Sequence, residues 1–222
     1  MRPGTSRRVR TTQREPHPRL EEIVRRHCQN RWRQPLHPSS AGAFERVLDW
    51  YCPDRPLLLD SGCGTGGSCL RLAERYPDSQ VLGIDQSDHR LGRGLEQVPN
   101  SVLLLRARAE DIWRLLLDAG ICPARHFLLY PNPWPKPAQL QRRWHGHPVF
   151  PDLLRLGALE LRCNWRVYAE EFARAARLAG ASTSAVVSFL PEYPISPFEA
   201  KYAASGHTLF QLHCQHFDSG EC

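Results

Sequence analysis

Lysine is nearly absent from this 222-residue chain: Lys136 and Lys201 stand against 27 arginines. Long apolar runs are absent as well. None approaches the ~18–20 residues of a membrane span, and the longest, around Leu57-Leu58-Leu59 and Ile195, are of strand length. No apolar core follows the first arginines, so no secretory leader is expected. The eight cysteines, at positions 28, 52, 63, 69, 122, 163, 214 and 222, contain no C-x-x-C pair and no partners at zinc spacing. Reduced thiols are therefore expected, and neither a metal ribbon nor a disulfide scaffold. His145 and His147, in Trp-His-Gly-His-Pro, read as part of a polar loop, and no metal is expected. What remains is ordinary: 41% hydrophobic and 23% charged residues. That composition excludes global disorder, collagen and coiled coil, and the length suits one α/β domain. A cytoplasmic monomer without membrane attachment is the expected setting.

The charge is uneven. The net charge is +6, and residues 1–34 carry ten arginines against Glu15, Glu21 and Glu22, a balance of +7. The other 188 residues therefore sum to −1. A basic arm on a neutral domain is an electrostatic footprint for a polyanion, and the planar fork of arginine suits phosphates and base edges. Within the arm, 1–17 has no apolar period and is expected to be disordered. Residues 19–33, with Leu20, Ile23, Val24 and Trp32, predict a basic amphipathic helix that Pro35 and Pro38 end. Residues 35–222 form the single remaining domain.

After Pro53, strand-length apolar runs alternate with helical patterns. Strands are predicted at 57–59, 81–84, 102–105, 127–130, 158–162, 186–190 and 208–212. Helices are predicted at 67–76, near 88–96, and at 110–119, 151–156 and 165–179. Continuous apolar strands alternating with helices imply a doubly wound, mostly parallel sheet covered on both faces.

The first strand runs into Asp60-Ser61-Gly62-Cys63-Gly64-Thr65-Gly66, which opens a helix. Glycines at 62, 64 and 66 let the backbone turn tightly and approach a ligand. The spacing is not the dinucleotide G-x-G-x-x-G. It resembles motif I of the S-adenosylmethionine (SAM) methyltransferases, in which Asp60 would suit a cationic methionine amine. Asp85 ends the second strand, where an acid hydrogen-bonds ribose hydroxyls. At the third strand end, Glu110 or Asp111 is placed to reach an adenine amino group.

The fourth strand leads into Tyr130-Pro131-Asn132-Pro133-Trp134-Pro135-Lys136, followed by Arg142-Arg143. Three prolines stiffen a polar loop beside the expected methyl donor. The segment resembles the Pro-Asp-Pro-Trp-Pro-Lys motif of the tRNA (guanine-N7)-methyltransferases. Cys163-Asn164-Trp165 with Tyr168-Ala169-Glu170 is similar to that family's Thr-Asp-Trp…Tyr-Ala-Glu, and Ser196-Pro197-Phe198-Glu199 to its Thr-Lys-Phe-Glu. The resemblance covers about residues 55–214. It implies a Rossmann-like methyltransferase fold, SAM as cofactor, and tRNA as substrate. It places Asp60, Gly62, Gly64, Gly66, Asp85, Glu110 and Asn132 toward the cofactor, with Asn132 as the catalytic residue. Trp134, Lys136, Arg142, Asn164, Ser196, Phe198 and Glu199 then lie toward the nucleobase and RNA.

Four positions depart from the family pattern: Asn132 and Asn164 replace aspartates, Arg108 stands at an acid, and Ser196 at a threonine. Guanine N7 is a bare lone pair, so its methylation needs no general base. The purine does gain positive charge, and loss of one preorganised carboxylate costs about 2–4 kcal/mol. The reaction is weakened, not forbidden. Asn132-Pro133-Trp134-Pro135 is also similar to the Asn-Pro-Pro-aromatic loop of amino-methyltransferases, so methyl transfer to an exocyclic amine is the alternative. A non-catalytic SAM- or RNA-binding relative is the third reading.

Overall fold

The computed structural model describes residues 6–93 and 97–216. Its centre is an eight-stranded sheet. Five strands are parallel: β1 (Leu57–Ser61), β2 (Gln80–Asp85), β3 (Val102–Arg106), β4 (Arg125–Leu129) and β5 (Ala158–Cys163). Every residue of β1 and β2 is buried, which is why their parts 57–59 and 81–84 read as unbroken apolar runs. The order is β3-β2-β1-β4-β5, and then β8 (Leu209–His216) runs antiparallel to β5. The far edge of β8 is shared by β7 (Val187–Phe189), which pairs with Leu209–Gln211, and β6 (Ala181–Thr183), which pairs with Cys214–His216. Strand order reverses between β1 and β4, and ligands of such sheets bind outside the carboxyl ends at that switch point.

Side-chain alternation divides the core between the two faces. Leu57, Leu59, Leu82, Ile84 and Leu128 join one large cluster with helices α1 (Leu20–Gln29), α2 (Pro38–Trp50), α5 (Ala109–Asp118), α6 (Phe150–Arg155) and α7 (Arg166–Leu178). Leu58, Val81, Phe127 and Leu129 face the other way, onto α3 (Gly67–Arg75) and Ile195. Two further helices are short: α4 (Asp88–Leu91) and α8 (Pro197–Ala204).

Several expectations need correction. The helix read over 19–33 stops at Gln29, because the Asn30 side chain caps the Arg26 carbonyl at 2.8 Å. The helix near 88–96 is one turn, 88–91, and residues 94–96 lie outside the described part. Of residues 1–17, expected to be disordered, 1–5 lie outside the described part; 6–17 lie against the domain, with Ser6, Val9, Thr11 and Gln13 half-buried and Arg7, Arg8, Arg10 and Arg14 exposed. Polar ties hold them where no apolar pattern advertised an attachment: Ser6 N–H donates to Ser205 Oγ, and Gln13 and His17 to Glu171. His145 is fully buried and His147 packs against Trp32 and Trp144, so neither sits in a solvated polar loop. Among the described residues, Cys28, Cys52, Cys63, Cys69, Cys163 and Cys214 are free thiols. Among the described residues, no helix is long and apolar enough to cross a membrane.

Candidate active site

The turn after β1 is held from behind by β2. The N–H groups of Gly62 and Cys63 donate to Ile84 O at 2.7 and 3.0 Å, and Gly64 N–H donates to Asp85 Oδ2 at 3.0 Å. Gly62, Gly64 and Gly66 all have φ between 63° and 85°. A Cβ at Gly62 or Gly64 would point into open space, whereas one at Gly66 would strike Leu104. The first two glycines thus leave room for a ligand, while the third serves packing as the N-cap of α3.

Two buried carboxylates flank this turn. Asp85 accepts Ser87 N–H at 2.8 Å on Oδ1 and pairs with Arg90 at 3.2 Å through Oδ2. Asp60 accepts from Ser68 Oγ and Cys69 Sγ on Oδ2, and its Oδ1 is buried without a partner. Burial raises the Asp60 pKa to about 6, with hydrogen bonds from Ser68 and Cys69 acting against it and the charge of Asp85 adding to it. An unsatisfied buried carboxylate oxygen calls for a cationic donor. The room over Gly62 and Gly64, the orphaned Asp60 oxygen and the acid ending β2 together fit SAM. Its ammonium would meet Asp60 and its ribose Asp85. Of the two acids after β3, Asp111 is committed to the His37 N–H at 3.1 Å, which leaves Glu110, half-buried and with its pKa raised by burial.

Across the switch point, Tyr130 N–H continues the β5 ladder to Arg162 O at 2.7 Å, and then the chain turns away. Tyr130 and Trp134 adopt φ of 53° and 44°, a left-handed backbone that costs a non-glycine residue about 1–3 kcal/mol. Both lie on the proline-rich loop. Asn132 is exposed, and its Oδ1 accepts the Trp134 N–H at 3.4 Å. Arg142 is exposed and lies 4.9 Å from the Trp134 ring, a cation–π contact, while Lys136 is exposed beside them.

The remaining expected residues divide. Asn164 Nδ2 donates to His207 Nδ1 at 3.1 Å, and the other ring nitrogen bonds to Ser6 O. Phe198 is exposed and stacks on Tyr202, which stacks on His207. Ser196 and Glu199 do not present free groups. Ser196 Oγ caps α8 by accepting Glu199 N–H, and the Glu199 carboxylate is fully buried. It accepts from Tyr130 OH at 2.9 Å, from Arg162 at 2.9 and 3.1 Å, and from Ile195 N–H at 2.7 Å. Its hydrogen-bonding capacity goes to joining α8 to the start of the loop, so it is placed to hold the site together.

A second fully buried glutamate, Glu171, was not anticipated. With Arg143 it forms a fully buried ion pair beneath the loop. Its position was readable: it stands four residues after Val167 and four before Ala175, both on the buried face of α7.

The overall fold is shared with solved methyltransferases. A variant of the 16S rRNA (adenine(1408)-N(1))-methyltransferase from Catenulisporales acidiphilia, solved with cosubstrate SAM, superposes with a TM-score of 0.57 at 18% identity, covering 86% of this chain and 96% of that one. The 16S rRNA methyltransferase KamB gives 0.54 at 17% identity, covering 81% and 94%. The fold is that of the Rossmann-like methyltransferases. More narrowly, residues 54–212 match the family described as "Putative methyltransferase", and the chain belongs to that family. Curated relatives include the tRNA (guanine-N(7)-)-methyltransferase of Leifsonia xyli subsp. xyli (strain CTCB07), 29% identical over 174 residues, 71% of this chain and 74% of the relative. That of Treponema pallidum (strain Nichols) is 28% identical over 197 residues, 80% and 77%.

Proposed function

We propose that this protein transfers a methyl group from SAM to N7 of guanine in tRNA, in the cytoplasm. The observation that carries the reading is the strained proline-rich loop 130–136 at the carboxyl end of β4, across the switch point from the Asp60–Asp85 turn. The names of the curated relatives support both the acceptor atom and the RNA.

SAM supplies an electrophilic methyl group on a sulfonium. Bound there, it would give that methyl to the N7 lone pair, the electron pair of the broken sulfur–carbon bond leaving on sulfur. No proton moves, so the site needs no general base. The work of the chain is orientation. Asp60, Asp85 and Glu110 hold the donor by ammonium, ribose and adenine. Trp134 offers a stacking face for the base, Asn132 presents a dipole to the developing purinium, and Lys136 and Arg142 meet phosphates. Tritium incorporation from SAM into bulk tRNA, followed by nucleoside analysis, tests this. 7-Methylguanosine is expected. A different methylated nucleoside would move the acceptor, and no incorporation despite SAM binding by calorimetry would leave a non-catalytic relative.

Asp60 gives the cofactor site a pH dependence. Its pKa in the folded protein is raised to about 6, so ionisation disfavours the empty fold as pH climbs through that value. The SAM ammonium pairs with the ionised form. Affinity should therefore be level above pH ~7 and fall about tenfold per unit below ~6, with one proton released on binding. Calorimetry in buffers of different ionisation enthalpy reads both, and Asp60→Asn should abolish the dependence.

Arg7, Arg10 and Arg14 of the arm are exposed, whereas Arg8 donates to Gly206 O. Replacing Arg7, Arg10 and Arg14 by glutamine leaves the Thr11 and Gln13 contacts in place. RNA binding should weaken, and its salt slope should flatten by about 0.7 per lost phosphate contact on single strands, more on helical RNA. An unchanged slope would remove the arm from the RNA interface.

A further inference from the structure

The loop that carries Asn132 and Trp134 cannot hold its own shape. Pro131, Pro133, Pro135 and Pro137 have no N–H, so a backbone ladder within it is impossible. Its carbonyls are instead gripped from outside, one after another. Arg143 Nε and Nη2 donate to Trp134 O at 3.1 and 3.0 Å, and Nη2 also reaches Lys136 O at 3.4 Å. Thr11 Oγ1 donates to the intervening Pro135 O at 2.5 Å. Three consecutive carbonyls are thus fixed by one buried guanidinium and one residue of the N-terminal segment.

Arg143 is itself fixed. It is fully buried, lies 4.8 Å from the Trp165 ring, and pairs with Glu171. The Glu171 carboxylate collects four donors: Arg143 and His145 Nε2 on Oε2, and Gln13 Nε2 and His17 N–H on Oε1. Gln13 closes the ring by accepting from Arg143 Nη2 at 2.9 Å. Burial lowers the pKa of His145, and its Nδ1 is bare. Burial by itself raises a carboxyl, but the His145 hydrogen bond and the Arg143 charge outweigh it and hold Glu171 below its ordinary value.

A buried ion pair is a poor source of stability, since desolvation offsets most of its attraction. Here it has a geometrical use. We propose that Glu171 is the positioning residue of the methyl-transfer loop: through Arg143 it sets the backbone at 134–136, and residues 11–17 complete the setting from the N-terminal side. The catalytic consequence rests on the guanine-N7 reading above, whereas the structural coupling does not. The arm then has two faces, the inward one fixing the loop and the outward one carrying arginines toward RNA.

The test compares the full chain with Glu171→Gln and with the double variant Thr11→Ala, Gln13→Ala. Hydrogen–deuterium exchange is read on the peptide spanning 130–143, alongside kcat on tRNA and SAM affinity. In Glu171→Gln, one oxygen becomes an amide donor that faces other donors. Loop amides should exchange at least tenfold faster, kcat should fall by ~10–100-fold, and the Kd for SAM should stay within about twofold. If Glu171→Gln does not fold, the double variant, which alters only half-buried residues, carries the test with smaller changes in the same direction. A role confined to stability would lower the melting temperature and leave loop exchange and kcat of the folded protein unchanged, and that result overturns the proposal. Should the wild type methylate no tRNA, the functional reading fails, and the exchange experiment still decides the coupling.

Discussion

Exchanging Asp85 for alanine is expected to weaken SAM binding ~10- to 100-fold while the protein stays folded. The carboxylate ends β2 and is 4% exposed, with one oxygen on Ser87 N–H and the other on Gly64 N–H. Its removal costs two things at once. The ribose hydroxyls lose a charged acceptor, worth about 1.5–3 kcal/mol, and Gly64 loses the anchor that holds the glycine turn against β2. Every ~1.4 kcal/mol is a factor of ten in Kd. Arg90, freed by the change, is half-exposed and returns to water, so loss of the ion pair itself costs the fold little. Calorimetry with SAM measures the effect, and a melting curve without SAM confirms the fold. Asp85→Asn keeps one acceptor and should fall between wild type and alanine. An unchanged Kd in Asp85→Ala would take the 62–66 turn out of the cofactor site.

The central half of the sheet was legible because it is buried on both faces. Leu57-Leu58-Leu59 and Val81-Leu82-Gly83-Ile84 have no polar residue to phase, and a strand of that length bounded by turns has one home in an α/β domain. The antiparallel edge was harder. β6 is three residues, Ala181–Thr183, too short to show a period. α8 carried its own signal, Ser196-Pro197-Phe198-Glu199, a serine N-cap with glutamate three residues on. Read as a family motif, those four residues pointed toward RNA. In the structure Ser196 caps a helix and Glu199 binds Tyr130, Arg162 and Ile195.

The site was legible where chemistry demands a residue type, and illegible where only support is demanded. Glycines that leave space, an acid ending β2 and a proline-locked loop after β4 are local patterns. The network beneath the loop is not. Glu170 and Glu171 are adjacent and chemically identical, yet Glu170 pairs with Arg166 at the surface and Glu171 sits at zero exposure under the loop. Only the helical phase separates them. The N-terminal segment is held by hydrogen bonds to Glu171, Pro135 O and Ser205, and such ties leave no hydrophobic trace in a sequence.

Restoring the acid at position 132 should have the largest effect on chemistry. In the proposed reaction, Asn132 would offer the developing purinium an amide dipole where a carboxylate would offer a full charge. In Asn132→Asp the rate of N7 methylation is expected to rise by up to ~10²–10³. Ionisation is not an obstacle, because Asn132 is exposed and an aspartate there keeps its solvation. Nor is the loop, since a carboxylate oxygen accepts the Trp134 N–H as well as the amide oxygen does. Asn132→Ala removes the orienting group and should slow the enzyme whichever atom is methylated. The acid variant is the one that discriminates. For an exocyclic amine, either side chain accepts the amine's hydrogen bond, so activity would persist at the native position and no 7-methylguanosine would appear. For N7, the charge helps only because the product base is cationic, so the gain should appear in kcat on tRNA while SAM affinity stays near the wild-type value. Single-turnover methylation with nucleoside analysis reads both quantities. A fall in the single-turnover rate of 7-methylguanosine formation at saturating tRNA, with SAM binding intact, would refute the N7 assignment, because saturation removes whatever the added charge costs RNA binding.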